Sequence, residues 1–196
     1  MNILIASNNK HKVKEIKEIV YKNVGNTINF ITAKELNINI NPEETGSTLA
    51  ENAKIKAIAF YNASKIPVIA DDSGLEVEIL NGLPGIHSAR FADINNDKAN
   101  REKLLSLFKN ETNRKAKFHT FIAYYNGQET LFFEGECKGN IIHNERGNNG
   151  FGYDPIFVPD GYNKTFAELT ENEKNKISHR HNAILNFCNN FLKNLK

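Results

Sequence analysis

Two pairs of adjacent acidic residues could bind a metal ion or take part in catalysis. Asp71 and Asp72 directly follow the apolar run at 67–70, and Glu43 and Glu44 lie in a polar loop. The run predicts a buried strand with Asp71 and Asp72 at its carboxyl end, where α/β folds place ligands. Adjacent carboxylates repel each other without a partner, and a divalent cation would neutralise them. The alternative is that one Asp caps a turn and the other is solvated.

A second candidate site is the polar loop that follows the first apolar run. It reads Ser7-Asn8-Asn9-Lys10-His11-Lys12 and precedes a helical pattern. The free N–H groups and the positive dipole end of a helix N-terminus attract anions. Ser7 and Asn9 add side-chain donors, and Lys12 adds a charge suited to phosphate. The loop lacks the GxxxxGK[ST] pattern of a Walker loop, and a solvated N-capping turn is the alternative.

Lys56 is a candidate because of its spacing from Asn52. The two residues are four apart on a predicted helix, so their side chains share one face. If that face points inward, Lys56 reaches the same site as Asp72. The alternative is a surface lysine, which is how we interpret Lys54.

A glycine-rich and asparagine-rich loop at 147–155 contains two large aromatic residues, Phe151 and Tyr153. Its composition predicts a loop that closes over a flat ligand, and either ring could stack on a nucleobase. Gly152 and Asp154 belong to the same segment. An ordinary surface loop, the alternative, seldom needs two large aromatic side chains.

The basic segment at 174–181 contributes a last set of candidates. Lys174, His179 and Arg180 offer hydrogen-bond donors to phosphate, or to carbonyl oxygens on the edge of a base. The histidines have no HExxH spacing and therefore do not indicate zinc. An exposed basic turn is the alternative interpretation.

Alternating strands and helices must position these residues, which indicates an α/β fold. Asp97 is the expected N-cap of one helix, and Asn126-Gly127 predicts a hairpin turn. The predicted strands span 2–6, 28–32, 67–70, 75–80, 117–125 and 129–138. Helices are predicted around 13–20, at 48–63, at 97–108, and from Ser178 or Asn182 onward.

The composition limits the classes of function. The chain has 196 residues, the size of one domain, and 25 basic against 23 acidic residues. That balance argues against a protein that coats nucleic acid. No stretch is apolar and long enough for a membrane span. Two distant cysteines, Cys137 and Cys188, indicate reduced, buried thiols and therefore a cytoplasmic protein.

The motifs, taken in order, resemble those of the inosine triphosphate pyrophosphatase family, also called XTP/dITP diphosphatases. The resemblance runs from residue 3 to about residue 190. Besides the loop at 7–12, the motifs are Glu43-Glu44-Thr45-Gly46, Glu51-Asn52-Ala53 with Lys56-Ala57, Asp71-Asp72-Ser73-Gly74-Leu75, Leu83-Pro84-Gly85-Ile86-His87-Ser88-Ala89-Arg90, Gly150-Phe151-Gly152-Tyr153-Asp154-Pro155-Ile156-Phe157, Ala167-Glu168-Leu169, and Lys174 with Ile177-Ser178-His179-Arg180.

The resemblance implies a fold and an activity. The fold would be a single α/β domain, with a long mixed central sheet flanked by helices and an active-site cleft between two lobes. The chain would form a homodimer. It would hydrolyse ITP, dITP and XTP with Mg²⁺ to the monophosphate and pyrophosphate, and so cleanse the nucleotide pool. Neither nucleic acid nor a membrane would be a partner.

The resemblance also implies roles for residues. Ser7 through Lys12 and Lys56 match phosphate-binding positions, and Ser73 matches a substrate contact. Glu44 and Asp72 match metal ligands, and Asp72 is also the acceptor of the water's proton. The base pocket would consist of Phe151, Gly152, Tyr153, Asp154, Lys174, His179 and Arg180.

Two other classes of function remain open at this stage. One is a Maf-like pyrophosphatase of pyrimidine or modified nucleotides, against which the segments at 150–154 and 174–180 speak. The other is a non-enzymatic nucleotide-binding or RNA-binding protein, against which the acids at 71–72 speak.

Overall fold

The computed structural model describes residues 1–94, 96–108 and 111–194. This part of the chain forms a six-stranded sheet and five α-helices, besides short 3₁₀ turns. The strands are β1 (Asn2–Ile5), β2 (Asn29–Thr32), β3 (Val68–Val77), β4 (Lys115–Tyr125), β5 (Thr130–Ile141) and β6 (Phe157–Pro159). The helices are α1 (Lys10–Val24), α2 (Leu49–Ser64), α3 (Asp97–Ser106), α4 (Glu171–Lys174) and α5 (His179–Asn190).

The sheet is mixed, as the sequence predicts. Its strand order is β2-β1-β3-β4-β5-β6. Strand β1 pairs in parallel with β2 and β3, whereas β5 and β6 are antiparallel. The hairpin expected at Asn126-Gly127 joins β4 to β5, and Gly127 has a φ of +96°, which favours glycine. Among the described residues, no helix has the length and apolar character needed to cross a membrane.

The chain forms two compact units. Unit 1 comprises Met1–Asp72, Thr120–Gly135 and Arg180–Lys196. Unit 2 comprises Ser73–His119 and Glu136–His179. The chain passes from one unit to the other within β3, β4 and β5. The expected cleft between two lobes and the single domain stay predictions.

Unit 1 buries both faces of its part of the sheet. Because side chains alternate along a strand, Ile3 and Ile5 of β1 lie on one face and Leu4 on the other. Ile3 and Ile5 belong to a cluster with residues of α1 and α5, such as Phe187. Leu4 belongs to a second cluster with residues of α2, such as Phe60. Helices therefore cover both faces, as in an α/β fold.

Unit 2 has an aromatic core. The Phe118 ring lies 4.8 Å from the Phe157 ring and 5.7 Å from the Phe166 ring, measured between centroids. Leu104 of α3 and Phe108 are buried in the same cluster. Strand β6 and helix α4, which the sequence analysis did not predict, also belong to this unit.

Three sequence predictions are wrong in detail. The predicted strands at 67–70 and 75–80 form one strand, β3, so the acids at 71–72 lie inside it rather than at its end. Helix α3 is capped by Asn96, whose Oδ1 accepts the Ala99 N–H, and not by Asp97. The loop predicted at 147–155 runs into a 3₁₀ turn at Asp154–Ile156.

Candidate active site

The two adjacent acids are separated by the geometry of β3. Successive side chains of a strand point to opposite faces, so Asp71 and Asp72 do not have to share a partner. Both are buried, and each contacts basic groups of the protein itself. Basic side chains of the protein thus already offset the repulsion for which a divalent cation was expected, and the metal ion stays a prediction. Neither Asp is solvated or caps a turn.

Asp71 lies in a buried network of charges in unit 1. Its Oδ2 is 3.0 Å from Lys12 Nζ and 3.2 Å from Arg180 Nη2. The Arg180 guanidinium also donates to Glu15 through Nη1. Burial opposes ionisation of Asp71, but Lys12 and Arg180 hold its pKa well below the ordinary value. Its two cations thus favour the carboxylate form of Asp71.

Asp72 lies in a second set of charges on unit 1. Lys56 Nζ is 2.8 Å from Asp72 Oδ1 and 2.9 Å from Glu44 Oε1, so one ammonium holds two carboxylates. The predicted inward face of α2 is confirmed at Lys56, whose side chain is only 14% exposed. Burial raises the pKa of Asp72, and the nearby Glu44 charge adds to the effect. Asp72 is therefore a stronger base than an exposed aspartate.

Glu44 is positioned by Asn52, one turn before Lys56 on α2. Asn52 Oδ1 accepts the Gly46 N–H at 2.8 Å, and Asn52 is fully buried. A Cβ on Gly46 would come within 2.7 Å of that oxygen and within 2.6 Å of the Glu51 Cβ. The close approach requires glycine and brings the Glu44 loop onto the helix.

The implied Mg²⁺ fits this donor set. The described residues contain no cluster of three or more His, Cys, Asp or Glu at metal spacing. Mg²⁺ is nevertheless commonly held by one or two carboxylates together with substrate phosphates and water. Glu44 and Asp72 already converge on one cation, Lys56 Nζ, which shows that their oxygens face a common position.

The loop at 7–12 is an N-capping turn. Asn9 Oδ1 accepts the N–H groups of His11 at 2.9 Å and Lys12 at 3.3 Å, and Ser7 Oγ accepts the Asn9 N–H at 3.2 Å. The oxygens of Ser7 and Asn9 are thus acceptors within the turn. Asn8, Lys10 and His11 are exposed. A cavity of about 710 Å³ opens beside this turn, and its lining includes Ser7, Asn8, Lys10, Lys14, Lys17 and Lys34.

The predicted pocket residues of unit 2 form a compact group around Asp154. Asp154 Oδ2 accepts the Phe151 N–H at 2.9 Å and binds Lys174 Nζ at 2.6 Å. Lys174 Nζ also lies 5.0 Å from the centre of the Phe151 ring, a cation–π contact. His179 is buried, and its ring stacks on Phe118 at 4.7 Å. Phe151, Asp154 and Lys174 are therefore in mutual contact, and the role of this group in binding a base stays a prediction.

Two members of the predicted pocket have other surroundings. Tyr153 is a core residue, with its hydroxyl donating to the Ser88 carbonyl at 2.9 Å, and burial raises its pKa. Its ring is packed in the core, and stacking of Phe151 on a base stays a prediction. Arg180 is 1% exposed and belongs to unit 1, where Glu15 and Asp71 bind it. Its contact with a base stays a prediction.

Ser73 follows Asp72 in β3 and is half-buried, and its substrate contact stays a prediction. Glu15 is the residue that sequence reasoning missed. It is buried on α1 beside Ile16 and Ile19, so a signal existed: an acidic residue on the apolar side of a helix. Such a residue needs a buried cation, and Arg180 supplies it.

A comparison with family models identifies the family of the chain. The model of the Ham1 family matches residues 3–190. The chain belongs to the Ham1 family. A relative from Aquifex aeolicus, named dITP/XTP pyrophosphatase, is 49% identical over 194 residues, covering 94% of this chain and 93% of that protein. A relative of the same name from Staphylococcus epidermidis is 48% identical, covering 94% and 93%. The resemblance drawn from the motifs is confirmed.

Solved Ham1 structures have the same fold. The Staphylococcus aureus Ham1 protein is 45% identical and superposes with a TM-score of 0.88, covering all of both chains. A HAM1 protein from Coxiella burnetii is 38% identical and has a TM-score of 0.89, covering 98% of this chain and 99% of that one. The predicted mixed sheet flanked by helices is therefore the fold of this Ham1 family member.

Proposed function

We propose that this Ham1 family member hydrolyses ITP, dITP and XTP to the monophosphate and pyrophosphate. The observation that carries the proposal is the contact of Lys56 with both Glu44 and Asp72, next in sequence to the Asp71–Lys12 pair. Hydrolysis of a triphosphate requires cations that screen its charge and a base that accepts a proton from water. These groups offer both. The relatives named dITP/XTP pyrophosphatase support the choice of substrate.

Asp72 is the general base of the proposed reaction. Water attacks the α-phosphorus, a new P–O bond forms, and the bond from the α-phosphorus to the bridging oxygen of the β-phosphate breaks. The pyrophosphate leaves with that oxygen, and Asp72 accepts a proton of the water. The raised pKa of Asp72 supports this role, because a base works best when its pKa approaches the working pH.

Lys12 and Lys56 bind the phosphates. A triphosphate repels a nucleophile through its negative charge, and ammonium groups near the phosphate oxygens reduce that repulsion. Burial lowers the pKa of Lys12, whereas the carboxylates of Asp72, Asp71 and Glu44 outweigh burial and raise the pKa of Lys56. Asp71 keeps Lys12 at the N-terminal turn of α1, where the positive end of the helix dipole also favours anions.

Mg²⁺ is part of the proposal, and Glu44 and Asp72 are the residues that would hold it. When bound, the ion screens the triphosphate charge and stabilises the leaving pyrophosphate. With the ion bound, Lys56 would lose part of its contact with the carboxylates of Glu44 and Asp72. Its ammonium group could then bind a phosphate oxygen.

The group around Asp154 is the proposed base pocket. Hypoxanthine and xanthine carry a carbonyl at C6, where adenine carries an amino group. Lys174 and His179 present donors, which suit an acceptor and leave adenine's amino group facing donors. The Phe151 ring offers a stacking surface. Donors at this edge of the base can discriminate strongly between ITP and ATP, because a buried donor without an acceptor raises the free energy of the complex.

The wider setting is also proposed. Two buried, free cysteines support a reducing, cytoplasmic location and a role in cleansing the nucleotide pool. The homodimer implied by the resemblance is tested by sedimentation velocity. Ham1 family membership speaks against a Maf-like enzyme, and the buried carboxylates at 71–72 speak against an RNA-binding protein.

The deciding experiment measures pyrophosphate release from ITP, XTP, GTP, ATP and UTP, with Mg²⁺ and with EDTA. We expect the rate of pyrophosphate release to be far higher with ITP and XTP than with ATP, and the rate with GTP to lie between these. No turnover is expected in EDTA. A preference for UTP would favour the Maf-like alternative. Binding of nucleotides without pyrophosphate release would favour the non-enzymatic one. Full activity in EDTA would remove Mg²⁺ from the proposal.

A further inference from the structure

Helix α3 holds the loop that carries Phe151 and Asp154, and all these residues belong to unit 2. Asp97 Oδ2 accepts the Gly152 N–H at 2.7 Å, and Arg101 Nη1 donates to the Gly152 carbonyl at 2.8 Å. Asp97 and Arg101 are four residues apart and share one face of α3. One helix face thus binds the peptide groups on both sides of a single glycine.

Arg101 is itself held in place by Glu145. Its Nε and Nη2 donate to the two carboxylate oxygens of Glu145 at 2.9 and 3.0 Å, and the Arg101 side chain is only 13% exposed. A bidentate pair of this kind fixes the orientation of the guanidinium. Glu145 precedes the glycine-rich stretch, so Arg101 attaches two points of the same loop to α3.

The loop needs such attachments because it has three glycines in left-handed backbone conformations. Their φ angles are +83° at Gly147, +76° at Gly150 and +60° at Gly152. Glycine loses more conformational entropy than other residues when it is ordered. Gly150 is packed against Asp154, where a Cβ would come within 2.0 Å of Oδ2. At Gly152 a Cβ would meet open space, so packing does not order it and the contacts with α3 do.

We propose that Asp97 and Arg101 are positioning residues that hold the loop at 150–154 in its base-binding conformation. The inference rests on the proposed function. Their effect passes through Gly152 to its neighbour Phe151. A loop that is ordered before the ligand arrives reduces the entropy cost of binding. The effect is therefore on the base end of the substrate and not on its phosphates.

The test uses Asp97→Ala and Arg101→Met, with Lys98→Ala and Glu102→Ala as matched controls on the same helix. The control side chains are 76% and 63% exposed and lie 3.8 Å apart as a pair. We expect each test variant to raise KM for ITP about tenfold and to change kcat less than about twofold, the pattern of lost ground-state binding. Asp97→Asn, which keeps an acceptor oxygen, should recover most of the loss. The control variants should have the same KM and kcat for ITP as the unmodified chain.

Two inhibitors separate positioning from general loosening. IMP occupies base and phosphate positions, whereas inorganic pyrophosphate occupies only the latter. The Asp97 and Arg101 variants should weaken inhibition by IMP about tenfold and leave inhibition by pyrophosphate unchanged. Equal weakening of both inhibitors, or no weakening of either, overturns the inference. So does a fall in kcat at constant KM.

A readout without turnover distinguishes failure of this inference from failure of the proposed function. Amide hydrogen exchange at Gly152, followed by NMR, should become at least about tenfold faster in Asp97→Ala, because its N–H loses its acceptor. Unchanged exchange overturns the inference, whatever the enzyme hydrolyses. Absence of pyrophosphate release by the unmodified chain, with faster exchange in the variant, overturns the proposed function and leaves the attachment of the loop standing.

Discussion

The two units bury polar groups in different ways. Unit 1 buries a network in which Arg180 bridges Glu15 and Asp71, and Asp71 also binds Lys12. Unit 2 buries the ion pair of Lys174 with Asp154 beside the rings of Phe151 and Phe166. The first arrangement joins several charges of both signs, whereas in the second the ion pair lies among aromatic side chains.

This difference separates two chemical tasks. A network of buried charges holds its members at fixed positions, which suits the binding of phosphates. Aromatic side chains with hydrogen-bond donors beside them suit a flat, weakly polar ring. We expect the ionic interior of unit 1 to act on the phosphates of a nucleotide and the aromatic interior of unit 2 to act on its base.

The largest expected effect is in unit 1. Asp72→Asn should reduce the rate of pyrophosphate release from ITP at least about 10²-fold, because a base and a metal ligand are lost together. Glu43→Gln is the matched control, since Glu43 is an exposed neighbour of Glu44. The far-UV circular dichroism of both variants should be unchanged. A kcat of Asp72→Asn close to that of the unmodified chain would exclude Asp72 from the mechanism.

The stability of the two buried charge sites should differ as well. Arg180→Met leaves Glu15 without its guanidinium partner and Asp71 with one cation fewer, so it should lower the free energy of unfolding by about 3–5 kcal/mol. Lys174→Met leaves one carboxylate, Asp154, and should cost less. Urea unfolding monitored by circular dichroism gives both values.

The Arg180→Met variant also tests whether Arg180 contacts the base of the substrate. If the guanidinium only orders Asp71 and Lys12, ITP and ATP turnover should fall by similar factors. Compression of the ITP/ATP ratio would instead show that Arg180 contacts the base. A smaller loss of stability in Arg180→Met than in Lys174→Met would contradict the contrast between the units.

A smaller effect is expected at the Glu44 loop. Asn52→Ala removes the acceptor of the Gly46 N–H and should lower kcat/KM for ITP about tenfold, because Glu44 is no longer held beside Lys56. Asn62→Ala, an exposed asparagine on the same helix, is the control. The loss should shrink at high Mg²⁺ concentration. A loss independent of Mg²⁺ would place Asn52 outside the metal site.

Local patterns predicted most of the elements, and long-range contacts explain the errors. The apolar spacing of α1 and the Asn-Gly turn after β4 depend on neighbours in sequence, so both were predictable. The continuity of β3 through Asp71 and Asp72 could not be predicted in this way. The cations that stabilise the two buried carboxylates come from α1, α2 and α5, which are distant in sequence. The ion pair of Arg180 with Glu15 could not be predicted for the same reason, since the two residues are 165 positions apart in the chain.

The smallest expected difference concerns cooperativity between the units. Cys188 in unit 1 and Cys137 in unit 2 are buried free thiols, and burial raises their pKa to about 11 and about 12. Neither should react with iodoacetamide at pH 8 in the native protein, because the thiolate is the reactive form. Since β3, β4 and β5 each contribute to both units, we expect the chain to unfold as one domain. Labelling of the two cysteines, followed by mass spectrometry across a urea series, should therefore show one common midpoint. Separate midpoints would show that the charged and the aromatic interiors unfold independently, and that the single-domain prediction is wrong.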